Sequence, residues 1–182
     1  MLIAKTNPQG LDIPIQAFQK IMYDQLIATW GISEDQYKCY PRCYRNRKEN
    51  VYKAENFEGG KDYKDAYWDD KLSVVSFFGL SSTEDHRQNE RIKVHMVFFV
   101  DLKKLKPSIT HRADEEVRKD VQLLALQEFY GMKYLSTELW AENVLREYPG
   151  SARELESRID MHPVHCFRIN FELNYNKNIC LQ

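Results

Sequence analysis

Two sets of side chains in this chain have the types and spacing to do chemistry. Asp69-Asp70, Asp101 and Lys103-Lys104 supply carboxylates that could hold Mg²⁺ and a lysine that could polarise a phosphate, the parts a metal-dependent nuclease needs. Cys39-x3-Cys43 with His162-x2-His165-Cys166 offers thiols and imidazoles in a number that suits zinc. Both sets are weak as motifs. Strands often end in Asp, Cys-x3-Cys around a proline is a poor knuckle, and His165 shares parity with apolar residues. The plainer readings are strand-end carboxylates, buried thiols and ordinary polar histidines.

Nucleophilic Ser-His or Cys-His sites depend on spatial pairing that spacing does not reveal. No G-x-S-x-G, P-loop or G-x-G-x-x-G occurs, which argues against nucleotide-dependent chemistry. Arg42, Arg45, Arg47 and Lys48 lie near Tyr40 and Tyr44, and basic residues interleaved with rings can hold single-stranded nucleic acid. Acidic residues just downstream argue instead for a solvated arm base or a subunit contact.

The whole chain sets broad limits. Its 182 residues suggest one domain, 1–182, with enough length to bury a core. With 26 Lys and Arg against 27 Asp and Glu, there is no global pull toward nucleic acid or membrane. Cys39, Cys43, Cys166 and Cys180, without a visible signal peptide, are expected as free thiols in a reducing cytoplasm. No apolar run approaches the roughly 20 residues of a spanning helix. No cofactor is called for.

The elements that must position these residues follow from periodicity. Ile15, Phe18, Met22, Leu26 and Trp30 predict an amphipathic helix over Ile13–Trp30, with Asp12 as N-cap, Pro14 in the first turn and Gly31 as the stop. Tyr37–Tyr44 predicts a short strand, held to an edge by Pro41. Leu72–Leu80 and Arg91–Asp101 predict two strands of an antiparallel hairpin joined by a polar turn, Ser81–Glu90. Leu102–Ile109 is a connection. Ala113–Tyr130 and Thr137–Tyr148 predict helices, the second anchored by Trp140 and Val144 and stopped by Pro149-Gly150. Ser151–Met161 is a short helix or a loop, and a short polar tail closes the chain.

The clearest signal is Val164–Tyr175. His165, Phe167, Ile169, Phe171, Leu173 and Tyr175 alternate with Cys166, Arg168, Asn170, Glu172 and Asn174, a period of two over an unusually long strand. One face suits a core. The polar face, Arg168, Asn170, Glu172 and Asn174, is expected to be displayed to a channel or a partner. The other unusual region is Arg45–Lys71, charged, without a clean period and broken at Gly59-Gly60. Its length points to function or to ordering against a partner. It predicts a hairpin arm whose Tyr52, Phe57, Tyr63, Tyr67 and Trp68 anchor a subunit contact, and which the domain does not need in order to fold. The order of elements gives an α+β fold: a mostly antiparallel sheet with helices packed on one face, plus the arm.

The helix Ile13–Trp30, the arm Y-K-A-E-N-F-E-G-G-K-D-Y-K, and the blocks S-V-V-S-F-F-G-L, V-F-F-V-D-L-K-K-L-K-P, H-R-A-D-E-E-V-R-K-D-V and D-M-H-P-V-H-C-F-R-I-N-F-E-L-N-Y together resemble tailed-phage neck proteins. The likeness is to the tail-completion or tail-terminator type, as in crAss-like phages, and is one of element order and texture. It implies a structural virion protein forming a homomeric ring of six or twelve copies in the head–tail connector. Such a ring touches portal, neck or tail proteins and passes DNA non-specifically through its channel. It is assembled in the host cytoplasm, and it has no catalytic residues, cofactor or membrane. The arm departs from a simple tail terminator and leaves the place in the neck open. The rivals are the metal-dependent nuclease, with Asp69, Asp70 and Asp101 as ligands and Lys103 as helper, and a non-viral adaptor on the same fold.

Overall fold

The computed structural model describes residues 1–59, 62–86, 89–155 and 161–176. Cys180 and the predicted polar tail lie outside the described residues, as do most of Ser151–Met161 beyond Leu155 and the tip of the turn predicted after Ser81. The fold is α+β.

Helix α1 runs Asp12–Trp30 and buries Ile15, Phe18, Met22, Leu26 and Trp30, the stripe its spacing predicts. Gly31 ends it in the left-handed region (φ 62°), donating its N–H to the Ile27 carbonyl. Asp12 is not the cap. Leu11 holds that position, and Asp12 turns aside to pair with Lys5 and Arg42.

The main sheet has the order β1-β5-β6-β8-β7. Its strands are β1 (Tyr37–Arg42), β5 (Val74–His86), β6 (Asn89–Asp101), β7 (Met132–Leu139) and β8 (Val164–Asn176). β1 pairs with β5 in parallel, and every other pair is antiparallel. β1 is an edge strand and Pro41 falls at the break in its register, as its missing donor requires. The hairpin β5–β6 is longer than predicted. Both strands continue through most of Ser81–Glu90, and a bulge at Ser81 adds one residue.

Ile92, Val94, Met96, Phe98 and Val100 of β6 and Phe167, Ile169, Phe171 and Leu173 of β8 form the first core. Helix α1 and helix α3 (Asp114–Ala125) cover it. Helix α2 (Leu102–Leu105) is a single turn at the end of β6.

The other face of the sheet is not open along its length. Val75, Phe77, Val97, Phe99 and Cys166 pack there against Ala54, Ala66, Trp68, Val144, Leu145, Tyr148 and Leu155 in a second core. The cover is a three-stranded sheet, β2 (Tyr44–Lys48), β3 (Val51–Gly59) and β4 (Asp62–Asp65), together with helices α4 (Ala141–Val144) and α5 (Pro149–Leu155). Helices therefore lie on both faces of the main sheet. The predicted arm is this three-stranded sheet, and it belongs to the core of its own chain.

Two helix predictions change. The helix expected over Ala113–Tyr130 stops at Ala125, because Glu128 and Tyr130 reverse the chain at φ 50° and 55°. The helix expected over Thr137–Tyr148 is largely strand β7, paired with β8. A bulge between Tyr134 and Ser136 shifts the parity, so that Met132 and Tyr134 and then Thr137 and Leu139 face the first core. Trp140, the expected anchor, is exposed. Pro149-Gly150 opens α5 instead of ending a helix, and Gly150 leaves no room for a Cβ against Tyr52 and Val51 of β3.

Candidate functional site: a buried polar network and an open sheet face

The polar face of β8 divides in two. Arg168 has no solvent exposure and Asn170 is buried, whereas Glu172 is half-buried and Asn174 exposed. The inner half carries a closed network. Arg168 Nη2 donates to Glu147 Oε1 at 3.0 Å and to Ser81 Oγ at 2.7 Å, Nε donates to Asn170 Oδ1 at 2.7 Å, and Nη1 completes a two-point pair with the Glu147 carboxylate. Asn170 in turn donates to Ser136 Oγ at 3.1 Å and Glu138 Oε1 at 2.9 Å. Arg146 bridges Glu138 and Glu147 from outside.

Ser81 is the extra residue of the β5 bulge, and the bulge is what aims its hydroxyl into the network. Its Oγ also lies 2.9 Å from His95 Nδ1, and His95 Nε2 lies 3.1 Å from the Tyr148 hydroxyl. With Arg168 donating to Ser81, the consistent assignment has Ser81 donating to Nδ1 and the Nε2–H donating to Tyr148. Gly79 makes the approach possible, since a Cβ there would overlap the Tyr148 hydroxyl and the His95 ring. Burial, reinforced by the Arg168 charge, lowers His95 to about 3. Burial alone would raise Glu147, but hydrogen bonds from Arg168 and nearby positive charge overcome it and hold the carboxylate at about 2. Burial pushes the Tyr148 phenol well above its ordinary range.

A serine beside an imidazole invites a catalytic reading. An imidazole this weakly basic is a poor general base, and Ser81 is itself tied to Arg168. The network joins β5, β6, β8 and the α4–α5 turn, and its chemistry is that of a fully paired buried ion pair. Sequence reasoning did not find Glu147, Glu138, Ser81 or Tyr148 as its members. The one available signal was His95 on the polar parity of an otherwise apolar strand.

The outer half of the same face stays open. Lys93 of β6, Glu172 of β8 and Lys133 of β7 lie in one cross-strand row, with Arg91 and Asn174 two residues further out. Arg91, Lys93, Lys133 and Asn174 are exposed. Among the described residues these three cations have no ion pair. Adjacent strands stand about 4.8 Å apart, so Lys93 and Lys133 flank Glu172 closely and the row carries a net positive charge.

The other predicted site residues fall as follows. Of the arm aromatics, Trp68 is buried in the second core and Tyr52 and Phe57 are half-buried, while Tyr63 and Tyr67 are exposed. Arg45 stacks over Tyr52 at 3.5 Å and donates to the Glu147 carbonyl. The members of the basic cluster have local partners. Arg42 pairs with Asp12, Arg47 donates to Asn50, and Lys48 pairs with Glu55 and Asp65.

Asp69, Asp70, Asp101 and Lys104 do come to one end of the sheet, but each is in local use. Asp101 caps α2, accepting from the N–H groups of Lys103 and Lys104 at 3.0 and 3.1 Å. Asp70 accepts from Trp68 Nε1 at 2.8 Å and Asp69 from the Lys71 N–H at 3.0 Å. The zinc set is split by the sheet, with Cys39 in the first core and Cys43 and Cys166 in the second. Among the described residues, no three His, Cys, Asp or Glu side chains converge as a metal site, and no helix is long and apolar enough to cross a membrane.

The fold and its surfaces define an α+β chain with a doubly covered sheet and one open polar extension. Comparison with protein-family descriptions, with curated proteins and with solved structures gives no match.

Proposed function

We propose that this chain is a structural subunit of a phage neck, assembling with its own copies into a ring in the head–tail connector or tail-completion region. The observation that carries the reading is the open outer face of β6, β8 and β7, where Arg91, Lys93 and Lys133 flank Glu172 beyond the covered part of the sheet. The inner half of that face is sealed by α4, α5 and the β2–β4 sheet, and the polar outer half is left available to something outside the subunit. Rings close through heterologous contacts, one surface meeting a different one on the neighbour. The exposed Tyr63 and Tyr67 supply rigid rings suited to the second surface.

Three cations without an ion pair among the described residues, beside a carboxylate, give a weak hold on phosphate, because affinity grows with each phosphate neutralised. That suits a channel wall which DNA must slide past. The sequence resemblance to tail-completion proteins suggests the virion location and the portal, neck or tail partners. The test is negative-stain microscopy of the purified protein, alone and mixed with phage portal and tail proteins. Annular particles, or co-purification with those partners, support the reading. A strict monomer that joins no virion component overturns it.

A further inference from the structure

Beneath β1 lies a groove of about 650 Å³ between the N-terminal segment, the β1–β2 turn and β3. Its size is that of a small-molecule site. The sequence singled out Arg42 and Phe57, both of which line it, for other purposes.

The charges inside it do not balance. Lys5 and Arg42 share the single carboxylate of Asp12, with side chains only 11 %, 17 % and 11 % exposed. Glu58, at the rim, is already paired with Lys64. By contrast, the neighbouring cluster around the buried Glu55 has carboxylates to spare, since Lys48 and Lys53 face Glu55, Asp65 and Glu154. Partly desolvated positive charge in excess is costly unless an anion answers it.

Among the described residues the donors are in excess as well. Lys5 Nζ gives hydrogen bonds to Asp12 Oδ2 at 2.7 Å and to the Tyr44 hydroxyl at 3.1 Å, which leaves one of its three hydrogens over. Arg42 uses Nε and Nη2 on Asp12 and Tyr44, which leaves both Nη1 hydrogens over. Tyr44, accepting from both cations, keeps its own O–H hydrogen to donate. Both cations also sit over the Tyr44 ring, at 4.7 and 4.9 Å, which fixes their positions. On the far wall Asn56 is 2 % exposed, and its Oδ1 accepts no hydrogen bond among the described residues. Phe57, the next residue of β3, also lines the groove, its ring against Tyr63.

We infer that this groove binds a small phosphate monoester. Its phosphate lies on Lys5, Arg42 and the Tyr44 hydroxyl, a hydroxyl or amine of its organic part donates to Asn56, and that part rests on Phe57. Phosphate, with three terminal oxygens and up to two charges, engages more of the unused donors than a carboxylate does, and the arginine geometry suits it.

The test is an amide-shift titration of the full chain by NMR, in phosphate-free buffer, with adenosine monophosphate, ribose 5-phosphate, inorganic phosphate and acetate as probes. The expected result is saturable shifts at Lys5–Asn7, Arg42–Tyr44 and Asn56–Phe57 with a phosphate ester. Loss of one charge-assisted donor in Lys5→Gln weakens binding by about tenfold. Tyr44→Phe, which keeps the ring and both ion pairs, weakens it by a few-fold. It serves if Lys5→Gln does not fold. No saturable shift up to about 10 mM, unchanged affinity in Tyr44→Phe, or acetate binding as tightly as the esters overturns the assignment.

Discussion

Arg168, on the polar parity of the longest two-faced strand, meets Glu147 of the α4–α5 turn in a two-point ion pair, one arm of it 3.0 Å long, with no exposure of the arginine side chain. A residue whose pattern promised an open surface is thus the most deeply enclosed cation of the described chain. The pair ties the main sheet to its second cover.

Removing one partner leaves the other charged and buried. Glu147→Ala is expected to destabilise the fold by about 3–5 kcal/mol. The double variant Arg168→Met, Glu147→Leu is expected to lose less, because no isolated charge remains. Urea unfolding of Arg168→Met, of Glu147→Leu and of the double variant checks this. A double variant as unstable as the sum of the singles would contradict it.

Acid should weaken the fold in two stages. His95 is lowered from 6.5 to about 3, so between those values the unfolded chain takes up a proton that the folded chain refuses, and stability falls as pH falls. Glu147 is lowered from 4.5 to about 2. Its contribution is complete above 4.5 and is lost as pH drops toward 2. Each group contributes a slope of up to about 1.4 kcal/mol per pH unit in its window. Unfolding curves from pH 7.5 to 4.5 should lose most of that slope in His95→Gln. A wild-type curve already flat there would contradict the buried neutral imidazole.

The arm prediction inverts. Trp68 and Ala54 belong to the second core, so deleting Tyr52–Trp68 is expected to abolish cooperative folding, contrary to the dispensable arm that its composition suggested. Trp68→Ala should cost about 3–5 kcal/mol, whereas Tyr67→Ala, on the same segment but exposed, should stay within about 0.5 kcal/mol. Thermal unfolding of the pair separates the structural ring from the surface ring.

Gly79→Ala forces a Cβ into the Tyr148 hydroxyl and the His95 ring. The expected loss is about 1–3 kcal/mol, with part recovered in Gly79→Ala, Tyr148→Phe. Calorimetry on the single and double variants measures the recovery.

What could be read from the sequence was whatever a single period expresses. Helix α1, the strands Leu72–Leu80, Arg91–Asp101 and Val164–Tyr175, and the edge position of Pro41 all declare themselves by spacing or by a missing donor. Strand β7 did not, because its bulge after Tyr134 breaks the alternation. Nor did the three-stranded cover. Its charged residues pair with one another across strands, as Lys48 does with Glu55 and Asp65, so a well-ordered sheet has the composition of a loose arm. The polar face of β8 was legible as polar, but not as divided. Whether Arg168 is displayed or enclosed depends on Glu147, 21 positions away, and on a turn with no pattern of its own.

The central claim, that the outer face of β6, β8 and β7 serves assembly, is tested most directly by native mass spectrometry of the intact protein beside Lys93→Glu, Lys133→Glu. The account predicts a closed homo-oligomer of six or twelve copies for the wild type and a shift toward monomer in the folded double variant. A wild type that stays monomeric at every concentration, or a double variant that assembles unchanged, would contradict it.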